Sequence, residues 1–299
     1  MADGALVAGD VFREVQVPSW EHARDLSRRL WGWIFRGQEV ASWELRTTLD
    51  RGPEYGRSER WRLASVERRL LELFERRAFP SLPDAPPLDD PLEWTALLHA
   101  HGGPTRLLGC TWSFHVAAFF ALERAPGGST PAAIWAVNPT RLLAAGALAL
   151  APTLGAGESP EALLESHAAL LRRLLSLARP PRMVCRLEPR RISERLAAQQ
   201  GLFLAPADLE ATFEDNLFGT FGATPAQARA AEPLVYRSAS QPDVRWNELA
   251  IVKVVVPGEL HKHALADLRS MNVTAATLLP GLEGYARSLY YHLGRDDGE

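Results

Sequence analysis

Reading the chain for the spacing of apolar positions, the clearest extended segment is NELAIVKVVVP, residues 247–257, a β-branched run that predicts a buried strand. Shorter runs of the same kind, WGWIF leading into Arg36-Gly37-Gln38, AAIWAVNP at 132–139, RMVCRLEP at 182–189 and LFLAP at 202–206, predict further strands. Between them the period changes to that of a helix. SWEHARDLSRRLWG predicts a helix with Ser19 as its N-cap, and Ser58–Phe79 carries Trp61, Leu63, Val66, Leu70, Leu73 and Phe74 at helical spacing. PLEWTALLHAHG starts behind Asp89 and Asp90 and ends at Gly102-Gly103-Pro104, and WSFHVAAFFALE, apolar on nearly every face, predicts a buried helix. Residues 141–178 read as helical with a break near Pro152–Pro160. ISERLAAQQG, GELHKHALADLRSM and PGLEGYARSLYYHL complete the set of helices. TRLLGCT reads as a tight connection, and 206–245 as polar and irregular.

Strands and helices interleave without a βαβ rhythm, which predicts an α+β class with a mixed central sheet flanked by helices. The expected division is an N-terminal helical extension at 1–30 followed by one domain at 31–299. The longest apolar run, Leu142–Pro152, is far shorter than a spanning helix needs, so no membrane partner is expected. MADGALVAGDVFREV lacks the pattern of a secretory signal, and two cysteines make no disulfide framework; a cytoplasmic location is expected. With 33 basic and 36 acidic residues the net charge is -3, which disfavours a strongly basic nucleic-acid binder.

Chemistry concentrates in two segments. An arginine followed by glycine at the end of an apolar strand fixes a guanidinium on the sheet and leaves the backbone open to close approach. Thr105 and Arg106 follow the Gly-Gly-Pro bend and Thr111 precedes the buried helix, a set of groups suited to phosphate or ribose oxygens. Arg36 also reads as an ion-pair arginine of the sheet, and Arg106 as a turn arginine bonded to carbonyls. Cys110 reads as a packing residue or a nucleophile, and a zinc site on His99 and His101 is disfavoured because residues two apart on a helix diverge. The Arg/Glu face of the 58–79 helix reads as a solvated surface of i,i+4 pairs or an anionic-ligand surface. The cluster Arg179, Arg182, Arg186, Arg190, Arg191 and Arg195 reads as a solvated face or a phosphate patch.

Phe35-Arg36-Gly37-Gln38 resembles the motif that names the FRG-domain family. LLHAHGGPTRLLGCTWSFHVAAFFA, residues 97–121, is similar to that family's central signature, and RISERLAAQQGLFL, IVKVVVP and TLLPGLEGYARSL fit its later stretches. The chain departs from the pattern at Ala100, where the family has a histidine, and at Gly109-Cys110, where it has Asp-Trp. The resemblance implies a bacterial protein, an anti-phage setting, and a core similar to ADP-ribosyltransferases. It implies an enzyme that cleaves or transfers from NAD, with no tightly bound cofactor, no metal and NAD as substrate. Arg36, Thr105 and Glu248 would then be catalytic, and Gly37, Gln38, His101, Arg106, Thr111 and Gln200 would line the ligand. The alternative is a non-catalytic sensor that binds a nucleotide-like molecule or a partner protein.

Overall fold

The computed structural model describes residues 11–52, 57–78, 80, 82, 85–125, 129–238 and 244–290. Eight strands form one mixed sheet: β1 (Phe12–Gln16), β2 (Ile34–Gln38), β3 (Leu108–Thr111), β4 (Ala132–Val137), β5 (Val184–Leu187), β6 (Gly201–Pro206), β7 (Leu234–Val235) and β8 (Ile251–Val256). Their order is β5-β6-β3-β2-β4-β8-β1-β7. β1 runs parallel to β7 and β8, and every other pairing is antiparallel. Thirteen α-helices accompany the sheet among the described residues, as expected for the α+β class. No helix among them is long and apolar enough to cross a membrane.

β4 and β8 are buried at every position, because both faces of the central sheet are covered. One face packs against α1 (Trp20–Arg29) and the buried helix α4 (Phe114–Leu122): Trp20, Leu26, Phe35, Phe114, Ile134 and Val254 share that core. The other face packs Ile34, Trp135, Val255 and Cys110 against Phe213 and Phe218. Ser19 caps α1 as the sequence predicts, and Asp90 caps α3 (Pro91–Ala100).

Three readings need correction. The N-terminal segment taken as a helical extension also supplies β1, an inner strand between β8 and β7. Its alternation was too short to separate from a loop, and parallel pairing with β8, from Phe12–Ile251 to Gln16–Val255, decides its state. TRLLGCT is not only a turn: Leu108–Thr111 pairs with β6 over four residues. The irregular 206–245 region holds Phe213–Gly219, a helix secured by a Thr212–Asp215 capping box, and strand β7. Residues 1–10 of the extension, Phe79 at the end of the second predicted helix and 291–293 of the last lie outside the described residues.

Candidate functional site

β2 and β4 pair along five residues, whereas β2 and β3 are joined by the single pair Phe35–Thr111. Beyond it the two strands part, and Arg36 occupies the split: its guanidinium donates to the Gly109 carbonyl at 2.8 Å, replacing the missing backbone ladder. That is the only hydrogen bond of the Arg36 side chain, and no carboxylate pairs with it, among the described residues. Burial lowers its pKa, with the Arg51 charge pressing the same way and Glu39 opposing. A desolvated, unpaired guanidinium favours an anion.

Gly37 serves packing. A Cβ there would lie 2.0 Å from the Ala117 carbonyl oxygen and 2.7 Å from the Ala121 nitrogen, so its missing side chain lets α4 rest on β2. The close approach is by a helix backbone. Gln38 bridges inward: its amide donates to the Glu44 carbonyl at 3.1 Å and its oxygen accepts from the Trp135 indole at 2.9 Å.

His99, at the C-terminal end of α3, faces the split. A Cβ at Gly109 would stand 3.6 Å from His99 Nε2 and 3.7 Å from Arg36 Nη1, so the space above Gly109 is bounded by both. Thr105 is fully buried, its hydroxyl 3.0 Å from His99 Nδ1 and accepting from the Leu107 N–H. A buried hydroxyl proton needs an acceptor, and Nδ1 is the one within reach. This assigns the remaining ring proton to Nε2, which then donates toward the space over Gly109. Burial, with the charges of Arg36 and Arg195 adding to it, pushes the His99 pKa down to about 4, so the ring is neutral near pH 7. Two donors therefore converge on one small space with no acceptor between them.

The other predicted residues are distributed differently. Thr111 donates to the Gln199 carbonyl at 2.7 Å and accepts from the Ser113 N–H, closing the β3–α4 turn. Arg106 is buried in a bidentate pair with Glu67 of α2 (Leu63–Ala78), Nε to the carboxylate oxygens at 2.9 and 2.8 Å, and its Nη1 reaches the Pro206 carbonyl. One glutamate of the helix read as solvated is thus a core residue. His101 is exposed and bonded to the Leu97 carbonyl. Gln200 is exposed in a left-handed turn, φ 47°, and its carbonyl receives the Trp112 N–H.

Glu248 sits in a 3-10 turn ahead of β8, paired with Arg245 at 2.9 Å. It precedes Lys253 by five residues, and Lys253 lies two strands from Arg36 in register. At about 3.3 Å per residue and about 4.8 Å per strand, Glu248 is roughly 19 Å from Arg36. The acidic group whose charge reaches Arg36 is Glu39.

Burial raises the Cys110 pKa to about 12, which leaves its thiol protonated and unreactive. No group of three or more His, Cys, Asp or Glu residues suited to a metal occurs among the described residues. The arginine cluster at 179–195 is largely engaged: Arg182 with Asp208, Arg186 with Glu188 and over Trp112, Arg195 with Glu283. The Arg190 and Arg191 N–H groups are held by Glu93.

Sequence reasoning missed His99, Glu39 and Arg51. For His99 a signal existed: it lies two residues before His101, and only one of two such residues on a helix end can face the sheet. Glu39 and Arg51 enter through the loop after β2, which carries no periodicity to read.

No curated protein and no solved structure matches the chain. The model of the FRG domain matches residues 32–128, which span β2, the turn at 102–106, β3 and α4. The segments that build the split around Arg36, His99 and Gly109 are therefore the matched ones, and the chain contains an FRG domain.

Proposed function

We propose that the FRG domain binds an anionic, nucleotide-like ligand, NAD or a related dinucleotide, with a phosphate oxygen held between Arg36 and His99. The observation that carries this reading is the Arg36 guanidinium, desolvated in the β2–β3 split with one carbonyl bond and no carboxylate partner among the described residues. A guanidinium and an imidazole N–H are both donors, and phosphate is an acceptor with charge to match. Gly109 leaves room for that oxygen.

Cleavage or transfer at the nicotinamide ribose is the second reading. Such a step needs a carboxylate to hold the ribose hydroxyl and stabilise an oxocarbenium-like centre. Glu39 is favoured for that role over Glu248, because its charge is felt at Arg36. A nucleotide sensor without chemistry needs only the first reading. A bacterial, anti-phage setting belongs to the same proposal and rests on the family resemblance.

Titration of NAD and ADP-ribose into the protein by calorimetry tests the binding. Arg36→Ala is expected to weaken it by about 1.5–3 kcal/mol, the range for a hydrogen bond to a charged group. Unchanged affinity in a folded Arg36→Ala protein would remove the clamp. Release of free nicotinamide from NAD by the wild type, lost in Glu39→Gln, is expected if the enzymatic reading holds; no release leaves binding as the activity.

A further inference from the structure

At the opposite end of β2 the sheet presents a second polar surface. Ile34, Val137 and Ile251 stand in one register row, so the segments flanking these strand ends meet. They are the end of α1 with Arg28 and Arg29, the turn Trp31-Gly32-Trp33, the Asn138–Arg141 junction after β4, and residues 244–248 before β8. Two hollows of about 380 and 360 Å³ open there, and they share Arg29 and Asn247, so they form one groove. Asn138 braces it: its amide donates to the Leu249 carbonyl at 3.2 Å and its backbone N–H to the Ala250 carbonyl at 2.8 Å.

The groove carries four guanidinium groups, Arg28, Arg29, Arg141 and Arg245, against Glu248 in its lining and Asp25 at its rim. Trp31 is 88% exposed on its edge, a large indole with no packing role. Trp246 is only 6% exposed, its ring against Tyr236, and its Nε1 is buried without a hydrogen-bond partner among the described residues. A buried indole N–H without an acceptor is costly. Guanidinium groups for phosphates together with an indole face for a base are the parts of a single-strand binding surface. In the arginine cluster at 179–195, Arg182, Arg186 and Arg195 are ion-paired; the groove has four guanidinium groups against two carboxylates and, in Trp31, an indole that is exposed.

We infer that this groove docks single-stranded nucleic acid, with phosphates against Arg28, Arg29, Arg141 and Arg245 and a base stacked on Trp31. The site is separate from the Arg36 split and does not depend on the function proposed for it.

Fluorescence anisotropy of a labelled twelve-residue oligothymidylate with the full chain tests the inference. If three to four phosphates are contacted, raising salt from 50 to 200 mM should weaken binding by roughly 20- to 50-fold. Trp31→Ala should weaken it by about 5-fold or more, the lower bound for a stacked base. Arg28→Glu should weaken it comparably and flatten the salt dependence. Both side chains are exposed, so the variants keep the fold, which their thermal unfolding would verify. Arg36→Ala should bind the oligonucleotide as the wild type does, which separates this site from the split. No binding at 50 mM salt, or binding indifferent to both Trp31→Ala and Arg28→Glu, would overturn the inference. Binding of polyglutamate in place of the oligonucleotide would assign the groove to an acidic protein and overturn it too.

Discussion

Placing an aspartate at Gly109 gives the sharpest test of the split, because the geometry fixes what the new group would meet. A Cβ at this position lies in ordinary contact, 3.6 Å from His99 Nε2 and 3.7 Å from Arg36 Nη1, so Gly109→Asp introduces no clash there. Its carboxylate would bridge the two donors and occupy the space proposed for a ligand oxygen. A hydrogen bond to a charged group contributes about 1.5–3 kcal/mol, and part of that is offset by burying the carboxylate. The variant should be more stable at pH 7 by about 1 kcal/mol.

His99 should respond more clearly. Its pKa of about 4 in the folded protein lies below the ordinary 6.5, so on acidification the unfolded chain takes up this proton first. The contribution of His99 is fully present above pH 6.5 and is lost as pH falls from 6.5 toward 4; the loss comes to about 3 kcal/mol. A carboxylate beside the ring raises its pKa by about 1–3 units and shrinks that loss. Urea denaturation of wild type, Gly109→Asp and His99→Asn between pH 4 and 7, with NMR titration of the ring, measures both effects. Calorimetry should show NAD binding abolished in Gly109→Asp. An unmoved His99 pKa, or undiminished binding, would refute the geometry of the split.

Two other substitutions test what surrounds it. Glu67→Ala leaves the buried Arg106 guanidinium without its carboxylate and should cost about 3–5 kcal/mol by urea denaturation, while Glu67→Leu combined with Arg106→Met should recover most of it; a single-variant cost below 1 kcal/mol would contradict a structural role for the pair. Gly37→Ala drives a methyl into the Ala117 carbonyl and should lower stability by about 3 kcal/mol or more, with the near-ultraviolet circular dichroism of Trp135 and its neighbours disturbed; a thermal midpoint equal to wild type would show that α4 does not rest on β2 as described.

What the sequence determined by itself was the inventory of strongly periodic elements and the place where chemistry gathers. β8, β4, β2 and the apolar helix α4 are legible because their residues are buried on every side or alternate cleanly, and Ser19 and Asp90 announce their helices by side-chain caps. The FRG motif marked Arg36 for the same local reason: a guanidinium and a glycine at the end of a strand. Tertiary structure alone decided the rest. β1 and β3 are strands because a neighbour supplies their ladder, and pairing across 239 residues, as between Glu14 and Lys253, leaves no trace in a short window. Thr105, Arg106 and Thr111 looked equivalent to Arg36 in the sequence, yet the fold turns their donors onto His99, Glu67 and the Gln199 carbonyl and leaves Arg36 buried with one carbonyl bond and no carboxylate partner among the described residues. Whether a polar group is satisfied depends on partners brought from far along the chain.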